Sequence, residues 1–338
     1  MQQAELPLSP NNAPWPDDFR TALGLDEAAL AEAWMHRADY RPHRVPKRKA
    51  RRIGPKREPR VAKKKRRPID EPHPALRVVQ EAIRRKLLEQ IPLSACAHGF
   101  RKGRSAKTAL LPHRKSTSFF TVDFRNAFHK VTGAMLAEAL RACTPIIKPR
   151  WVAPLVAFTT HRGRLPQGAP TSNDLFNIAC RELDANLAAF AQTRGFVYTR
   201  YADAVIISAK APLPTDLQRE IEAKIRAYGF PLAAEKTGYT EPRYAHPVIM
   251  GIAVVDGRLR VPRRQLDRAR AFLHRAKLDP TIPMEIVEGV LGNVRGLIGG
   301  LPPRLLKPYK ALLMSRHLWV RYRRRRGIPY VAHSPMQP

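Results

Sequence analysis

Two aspartates, Asp123 and Asp203, stand where a carboxylate is costly unless it is paired or bound to a metal. Asp123 ends the apolar run SFFTVD, and Asp203 lies at the centre of FVYTRYADAVIIS. Two carboxylates brought side by side repel each other unless a divalent cation lies between them. Mg²⁺ has this role in phosphoryl-transfer sites, where carboxylates hold the metal and the metal holds phosphates. The pair therefore indicates a magnesium site, although each aspartate taken singly is more typical of a turn or a cap.

The flanking patterns predict the elements that must position these carboxylates. SFFTVDF is rich in aromatic and β-branched residues and predicts a strand, while FVYTRYADAVIIS predicts a hairpin with Asp203 at its tip. TSNDLFNIACRELDANLAAFAQTRG predicts one long helix, capped by Thr171 or Ser172 and closed by Gly195. Further helices are predicted over DEAALAEAWMHRA, ALRVVQEAIRRKLLEQI, TDLQREIEAKIRAYG and the chain after about residue 262. Such alternation predicts an α+β fold, a sheet backed by helices.

The charge of the chain indicates a polyanionic partner. Its 338 residues include 61 Lys plus Arg against 28 Asp plus Glu, a formal net charge of +33. Residues 41–67 alone hold 15 basic residues and one acid, which supplies +14 of that excess. Four prolines and charge repulsion predict an extended arm that orders on a polyanion, with a nuclear signal or a solubilising run as the alternatives. We expect nucleic acid rather than an anionic membrane as the partner.

The cysteines and the apolar runs exclude other classes. Three cysteines without CxxC spacing make a zinc site or a disulfide framework improbable and fit a reducing compartment. The longest charge-free apolar run, 151–160, is about half of what a bilayer requires. The N-terminus lacks the basic start and apolar stretch of a signal peptide. A cytoplasmic location without membrane contact is expected.

A series of short motifs resembles those of reverse transcriptases, most closely the bacterial retron type, from about Arg67 to about residue 300. In the family's order they are RPIDEPHPALRVVQ and HGFRKGRS in the fingers, FFTVDFRNAF (motif A), LPQGAPTSN (motif B), YADA where the family has YADD, and GFPLAAEKT (motif D). Two segments resemble retron features: SAKTALLPH, which keeps His113 of the NAxxH pattern, and VIMGIAVV, which stands where the family has VTG. Taken alone, His113 is more typical of a structural histidine.

This resemblance implies a right-hand polymerase fold with fingers, a palm carrying an antiparallel sheet, and a helical thumb. It assigns residues 1–40 to an N-terminal helical segment, 41–67 to the basic arm, 68–252 to fingers and palm, and 253–338 to the thumb and a basic tail. The implied activity is RNA-directed DNA synthesis by two-metal phosphoryl transfer with Mg²⁺. Implied partners are a structured noncoding RNA as template and primer, the RNA–DNA duplex, dNTPs and an effector protein in anti-phage defence.

The same resemblance gives roles to individual residues. Asp123 and Asp203 are the expected metal ligands, and Lys236 the expected proton donor to the leaving pyrophosphate. Phe128 is the expected ring that stacks under the sugar and excludes a 2′-hydroxyl, and Gln167 is the expected motif B contact to the nucleotide. Arg67 and Arg104 are the expected clamps on triphosphate or template. Taken alone, Phe128 is typical of a core aromatic, Gln167 of a turn and Lys236 of a solvated surface lysine. Arg67 and Arg104 are then typical of plain contacts to the phosphate backbone.

Ala204 is the departure from the family pattern that bears most on activity. The family has a second aspartate there, and alanine cannot coordinate a metal. Motif B also ends in Asn173 rather than proline, and motif D has Ala233 where asparagine is usual. Two hypotheses follow: a polymerase that Ala204 weakens or inactivates, or a catalytically inactive reverse-transcriptase fold that binds RNA.

Overall fold

The computed structural model describes residues 13–46, 66–240 and 246–315. Most of the predicted basic arm and the terminal cluster RYRRRRG lie outside these residues. The described residues divide into two compact units, one formed by 13–46 and 66–240 and the other by 246–315. Among them, no helix combines the length and the apolar character needed to cross a bilayer.

The first unit holds ten helices among its described residues: α1 (Asp17–Leu23), α2 (Glu27–Met35), α3 (Pro74–Lys86), α4 (Ala106–Leu110), α5 (Ala127–Lys130), α6 (Gly133–Arg141), α7 (Val152–Thr159), α8 (Ser172–Ala179), α9 (Arg181–Thr193) and α10 (Leu217–Ala227). Its strands are β1 (Tyr40–Pro46), β2 (Arg66–Pro72), β3 (Ser118–Asp123), β4 (Val197–Tyr201), β5 (Ala204–Ala209) and β6 (Gly238–Thr240). Short 3-10 turns cover Leu88–Gln90, Pro112–Lys115, Pro149–Trp151 and Ala234–Lys236.

A four-stranded antiparallel sheet of order β4-β5-β3-β6 forms the centre of the first unit. The predicted strand and hairpin are confirmed, since β3 is SFFTVD and β4 and β5 are the two arms of FVYTRYADAVIIS. The helices lay their apolar faces on one core, and in α3 Leu76, Val79 and Ile83 are fully buried. Asp26 caps α2, accepting a 2.7 Å hydrogen bond from the Ala29 amide.

The prediction of one long helix over TSNDLFNIACRELDANLAAFAQTRG is wrong, because the chain bends at Cys180 between α8 and α9. The bend lets both segments follow the core, where they bury apolar side chains such as Phe176 and Leu187. The predicted side-chain cap is also absent at this helix start. The Thr171 hydroxyl makes no cap bond, and the Ser172 hydroxyl donates instead to the Pro166 carbonyl at 2.6 Å.

The two ends of the predicted basic arm are paired with each other. β1 and β2 form an antiparallel ladder from Tyr40 opposite Pro72 to Pro46 opposite Arg66. Backbone pairing does not depend on side-chain charge, and the base of the ladder is anchored where the Tyr40 hydroxyl accepts a 2.9 Å hydrogen bond from Gln80. The two ends of the predicted extended arm, residues 41–46 and 66–67, are therefore ordered by pairing with each other, and the segment between them lies outside the described residues.

The second unit begins with a small antiparallel sheet: β7 (Val248–Ile249), β8 (Ile252–Val255) and β9 (Arg258–Arg260). Three helices follow: α11 (Arg263–Leu278), α12 (Met284–Ile298) and α13 (Pro303–Ser315). They enclose a separate apolar core that includes Phe272, Leu291 and Leu312. The sequence prediction ended the palm at residue 252, whereas this unit already includes β7 and the start of β8.

Candidate active site

The structure brings Asp123 and Asp203 together at one end of the central sheet. Asp123 is the last residue of β3, and Asp203 lies in the two-residue turn that joins β4 to β5. The Phe124 amide donates a 2.9 Å hydrogen bond to the Asp203 carbonyl, which ties the turn to the end of β3. In the β3–β5 ladder, Ala204 stands directly opposite Asp123. The departure from the family pattern is therefore an alanine facing a carboxylate across the ladder.

The turn that carries Asp203 is strained at Ala202. Its φ of +55° lies in the left-handed region, where an L-residue other than glycine costs about 1–2 kcal/mol. The surrounding structure holds it there: the Arg200 guanidinium donates a 2.9 Å hydrogen bond to the Ala202 carbonyl. Strain that is maintained in this way is common at functional sites. Asp203 thus sits at a fixed point rather than on a free loop.

A buried ion pair anchors the same turn. Arg200 and Asp184 of α9 are both fully buried and meet through two hydrogen bonds, of 2.8 and 2.7 Å. Tyr198 adds a third, its hydroxyl donating to the Asp184 carboxylate at 2.7 Å. Neither charged residue is predicted from the sequence as part of the site. The available signal is an arginine inside an otherwise β-rich run, which needs a partner when buried.

Gly99 of the HGFRKGRS segment packs against this turn. A Cβ at Gly99 would lie 2.8 Å from the Ala202 Cα and closer still to its nitrogen, so only glycine fits. The preceding backbone pairs alongside β4 in a short parallel bridge: the His98 amide donates to the Arg200 carbonyl and the Arg200 amide to the Cys96 carbonyl, both at 2.8 Å. The segment predicted as a fingers motif therefore helps to fix the turn that carries Asp203.

The electrostatics of the two carboxylates are those of a cation-binding pair. Burial, followed by the charge of Asp123, raises the pKa of Asp203 above its ordinary value. Lys236 forms an ion pair with the Asp123 carboxylate, and that hydrogen bond raises the pKa of the ammonium group. The charge of Asp123 therefore contributes to both shifts, after burial in the case of Asp203. Lys236 is thus brought to the site as predicted, while its chemical role stays a prediction.

Phe128 and the Gln167 backbone are each held by contacts to neighbouring elements. Phe128 is half-buried in α5, with its ring stacked on Phe176 at 5.1 Å. The Gln167 carbonyl accepts a 2.8 Å hydrogen bond from the Asp70 amide of β2, which fixes the motif B loop to the β1–β2 hairpin. Gly168, at φ +135°, has the Ile69 side chain 2.7 Å from where a Cβ would stand. The motif B loop therefore follows a tight backbone path at Gly168.

Arg67 and Arg104 have different surroundings. Arg67 is exposed on β2, close enough for its charge to contribute to lowering the pKa of Asp203 against the dominant effect of burial. Arg104 instead lies 3.5 Å from the ring of His98 and lines a cavity of about 510 Å³. That cavity is also lined by Thr108 and Arg114, and neither aspartate borders it. The roles of Arg67 and Arg104 as clamps on triphosphate or template stay predictions.

His113 is a structural histidine. It is fully buried, with Nδ1 2.6 Å from the Ser208 hydroxyl and Nε2 2.8 Å from the Thr199 hydroxyl. Burial lowers its pKa to about 3, so the ring is neutral at physiological pH. It ties the SAKTALLPH segment to β4 and β5, which is the ordinary alternative given for this residue.

Residues 45–252 match the family model for "Reverse transcriptase (RNA-dependent DNA polymerase)", which covers more than half of the chain. The chain belongs to the reverse transcriptase family. Membership and the observed elements together confirm the predicted α+β right-hand polymerase fold, with an antiparallel palm sheet and a helical C-terminal part. Reverse transcriptases generally use divalent metal ions.

The relatives of this reverse transcriptase include retron enzymes. It is 31% identical over 288 residues to the retron Mx162 reverse transcriptase of Myxococcus xanthus, covering 76% of this chain and 57% of that protein. It is 26% identical over 239 residues to the retron Ec86 reverse transcriptase of Escherichia coli, covering 70% and 73%. A telomerase of Candida albicans, solved with a fragment of telomeric RNA, matches at 12% identity with a TM-score of 0.47, covering 84% and 56%. The predicted resemblance to retron reverse transcriptases is confirmed.

The carboxylates of this reverse transcriptase fit a magnesium ion. Mg²⁺ is bound through oxygen, usually by one or two carboxylates with the remaining positions filled by water and substrate phosphates. Asp123 and Asp203 supply two such groups, and a cation held between them would offset the charge of the half-buried Asp203 carboxylate, whose pKa is raised first by burial and then by the charge of Asp123. Among residues 13–46, 66–240 and 246–315, no cluster of three or more metal-ligating side chains occurs. The donor set is therefore the minimal one.

Proposed function

We propose that this chain is an RNA-directed DNA polymerase of the retron type, which copies a structured noncoding RNA into DNA. The observation that carries the proposal is the placement of Asp123 and Asp203 at adjacent strand ends, on a turn that three separate contacts fix. When bound by these two carboxylates, Mg²⁺ would activate the primer hydroxyl and neutralise charge on the phosphates. Mg²⁺ rather than another divalent ion is part of the proposal.

The remaining residues have roles that their positions support. Lys236, paired with Asp123, is placed to give a proton to the leaving pyrophosphate or to neutralise its charge. Phe128 lies beneath the sugar and excludes a 2′-hydroxyl, which makes dNTPs the substrates. Gln167 lies against the nucleotide, and Arg67 contacts its triphosphate. Arg104 contacts nucleic-acid phosphate, because its cavity is separate from the carboxylates.

The partners follow from the charge and from the family. The first unit supplies fingers and palm, and the second unit is the thumb, whose helix α11 carries basic side chains for the RNA–DNA duplex. Residues 41–67 bind the structured RNA that serves as template and primer. A cytoplasmic role in anti-phage defence with an effector protein completes the proposal. The chain spans 57% of the Mx162 relative and 73% of the Ec86 relative, so these functions are proposed for this chain and not transferred whole.

A primer-extension assay with Mg²⁺ and dNTPs tests the polymerase. Asp123→Asn and Asp203→Asn are expected to abolish extension, because each removes a charged metal ligand while keeping side-chain size. Asp216→Asn, an exposed aspartate before α10, is the matched control and should leave extension unchanged. Full extension by Asp203→Asn would show that the proposed site is wrong.

A catalytically inactive RNA-binding protein is the second candidate, and Ala204 is the observation that favours it. Sequencing the nucleic acid that copurifies with the protein separates the two. A defined RNA covalently joined to DNA supports the polymerase, whereas RNA without any attached DNA, together with no extension by the unaltered chain, supports the binding protein.

A further inference from the structure

The ring of Phe100 is an exposed aromatic that the proposed mechanism does not use. Its residue is 43% exposed, and its backbone has φ +60°, in the left-handed region that residues with a Cβ seldom adopt. A large apolar side chain held at the surface on strained backbone has no benefit for the core. Strain of this kind collects where a ligand is handled.

The backbone around Phe100 is fixed beside the Ala202–Asp203 turn. The preceding residue, Gly99, is buried against the Ala202 backbone, and its carbonyl accepts a 3.0 Å hydrogen bond from the buried Asn177 side chain. These contacts leave Phe100 little freedom to move away from the turn that holds Asp203.

Phe100 contacts the ring of Phe128 edge to face. Their centroids are 5.7 Å apart at 64°, while the other neighbour of Phe128, the buried Phe176, is 5.1 Å away at 27°. Aromatic pairs in these arrangements attract each other beyond simple burial. Phe128 is therefore held between one ring that is locked in the core and one that is exposed.

We infer that Phe100 is a positioning residue that fixes the ring of Phe128 and so sets the discrimination between deoxyribonucleotides and ribonucleotides. The inference rests on the proposed function, in which Phe128 lies beneath the sugar of the incoming nucleotide. The Phe128 ring excludes a 2′-hydroxyl only while it is held in place and cannot rotate away from the sugar. Without Phe100, the Phe128 ring gains room on its exposed side, and a 2′-hydroxyl is accommodated.

Equilibrium binding of dGTP and GTP tests this independently of the rate of chemistry. The full chain is bound to a primer–template with a dideoxy terminus and a templating C, with Ca²⁺ in place of Mg²⁺. Phe100→Ala and Phe100→Gly should each reduce the dGTP preference about tenfold, mainly through tighter GTP binding. Phe100→Tyr keeps the ring and should keep the preference. Met35→Ala shortens another exposed apolar side chain (66%), at the end of α2; it is the control and should also keep the preference.

Comparing Phe100→Ala with Phe100→Gly distinguishes the effect of losing the ring from the effect of the strained backbone. Glycine relieves the strain at φ +60° and alanine does not, so loss of preference in both variants assigns the effect to the ring. An unchanged preference in both, while Phe128→Ala loses it, overturns the inference and leaves the proposed function intact. Loss in only one of the two also overturns it. If the unaltered chain binds neither nucleotide or does not prefer dGTP, the proposed function itself fails.

Discussion

Replacing Ala204 by aspartate adds a third carboxylate to the site, and its effect on stability should reverse sign when a divalent metal is present. Ala204 stands directly opposite Asp123 in an antiparallel ladder, where the Cβ atoms of such a pair are about 4.5–5.5 Å apart on the same face. Asp203 is next in the chain, and one ammonium group, that of Lys236, is already paired with Asp123. The new carboxylate therefore meets two negative charges and one positive charge.

The size of the effect follows from these distances. Two unit charges about 6 Å apart repel by about 3 kcal/mol at an effective dielectric constant near 20. The Asp123 and Lys236 side chains are 22% and 54% exposed, so solvent screens every interaction, and the ammonium offsets one of the two repulsions. A net loss of about 1 kcal/mol in unfolding free energy remains without metal. Ala204→Asn has nearly the same shape without the charge and should not show this electrostatic loss.

Urea unfolding and primer extension, each performed with EDTA and across a Mg²⁺ titration, check this prediction. With EDTA, Ala204→Asp should unfold at lower urea than Ala204→Asn, and added Mg²⁺ should remove or reverse the difference. Ala204→Asp should also extend a primer at lower Mg²⁺ than the unaltered chain. Equal unfolding midpoints for the two variants in both conditions would refute the reasoning, because position 204 would then not sense the charge of the site.

Three further predictions concern the framework of the first unit. Asp184→Asn leaves a buried guanidinium without its counter-charge and should cost about 3–5 kcal/mol of unfolding free energy in urea, whereas Glu220→Gln, from an exposed pair, should cost under about 1 kcal/mol. Gly99→Ala should abolish primer extension by displacing the turn that carries Asp203. Gly103→Ala has open space around its new Cβ and should lower the unfolding free energy by only about 1–2 kcal/mol, through backbone strain. Burial lowers the pKa of His113 to about 3, so below pH 6.5 the unfolded chain binds more protons than the folded chain. The unfolding free energy should therefore fall as the pH drops, by about 2 kcal/mol at pH 5. His113→Gln should reduce the difference in unfolding free energy between pH 5 and pH 7, measured by urea titration.

The elements that carry the site were predictable because their signals are local. β-Branched and aromatic runs define β3 and the β4–β5 hairpin, and apolar spacing defines α3 and α10. The meeting of Asp123 and Asp203 at neighbouring strand ends was implied by the motif resemblance, because the order of elements does not say that β3 pairs with β5. Phe128, Gln167 and Lys236 came from motif resemblance, since no local property distinguishes them from ordinary core or surface residues.

The contacts that fix the turn were not predictable because they join distant parts of the chain. The Asp184–Arg200 pair links a helix to a strand, and Gly99 meets Ala202 about a hundred residues later. A buried arginine indicates that a partner exists without saying which carboxylate it is. The bend at Cys180 was not predictable either, because the apolar periodicity continues through it and no glycine or proline marks it.

These contacts also bear on whether the fold serves catalysis or only RNA binding. A buried ion pair is seldom better for stability than apolar residues of the same volume, and the left-handed Ala202 costs a further 1–2 kcal/mol or so. Neither feature presents charge to RNA, since Asp184 and Arg200 are fully buried. Both fix the position of Asp203, whose carboxylate repels the phosphates of RNA unless a cation lies between them. A surface that only bound RNA would gain from losing Asp123 and Asp203, so the cost of holding them together is understandable if they hold a metal. Loss of one carboxylate at position 204 then weakens a site whose framework is otherwise present.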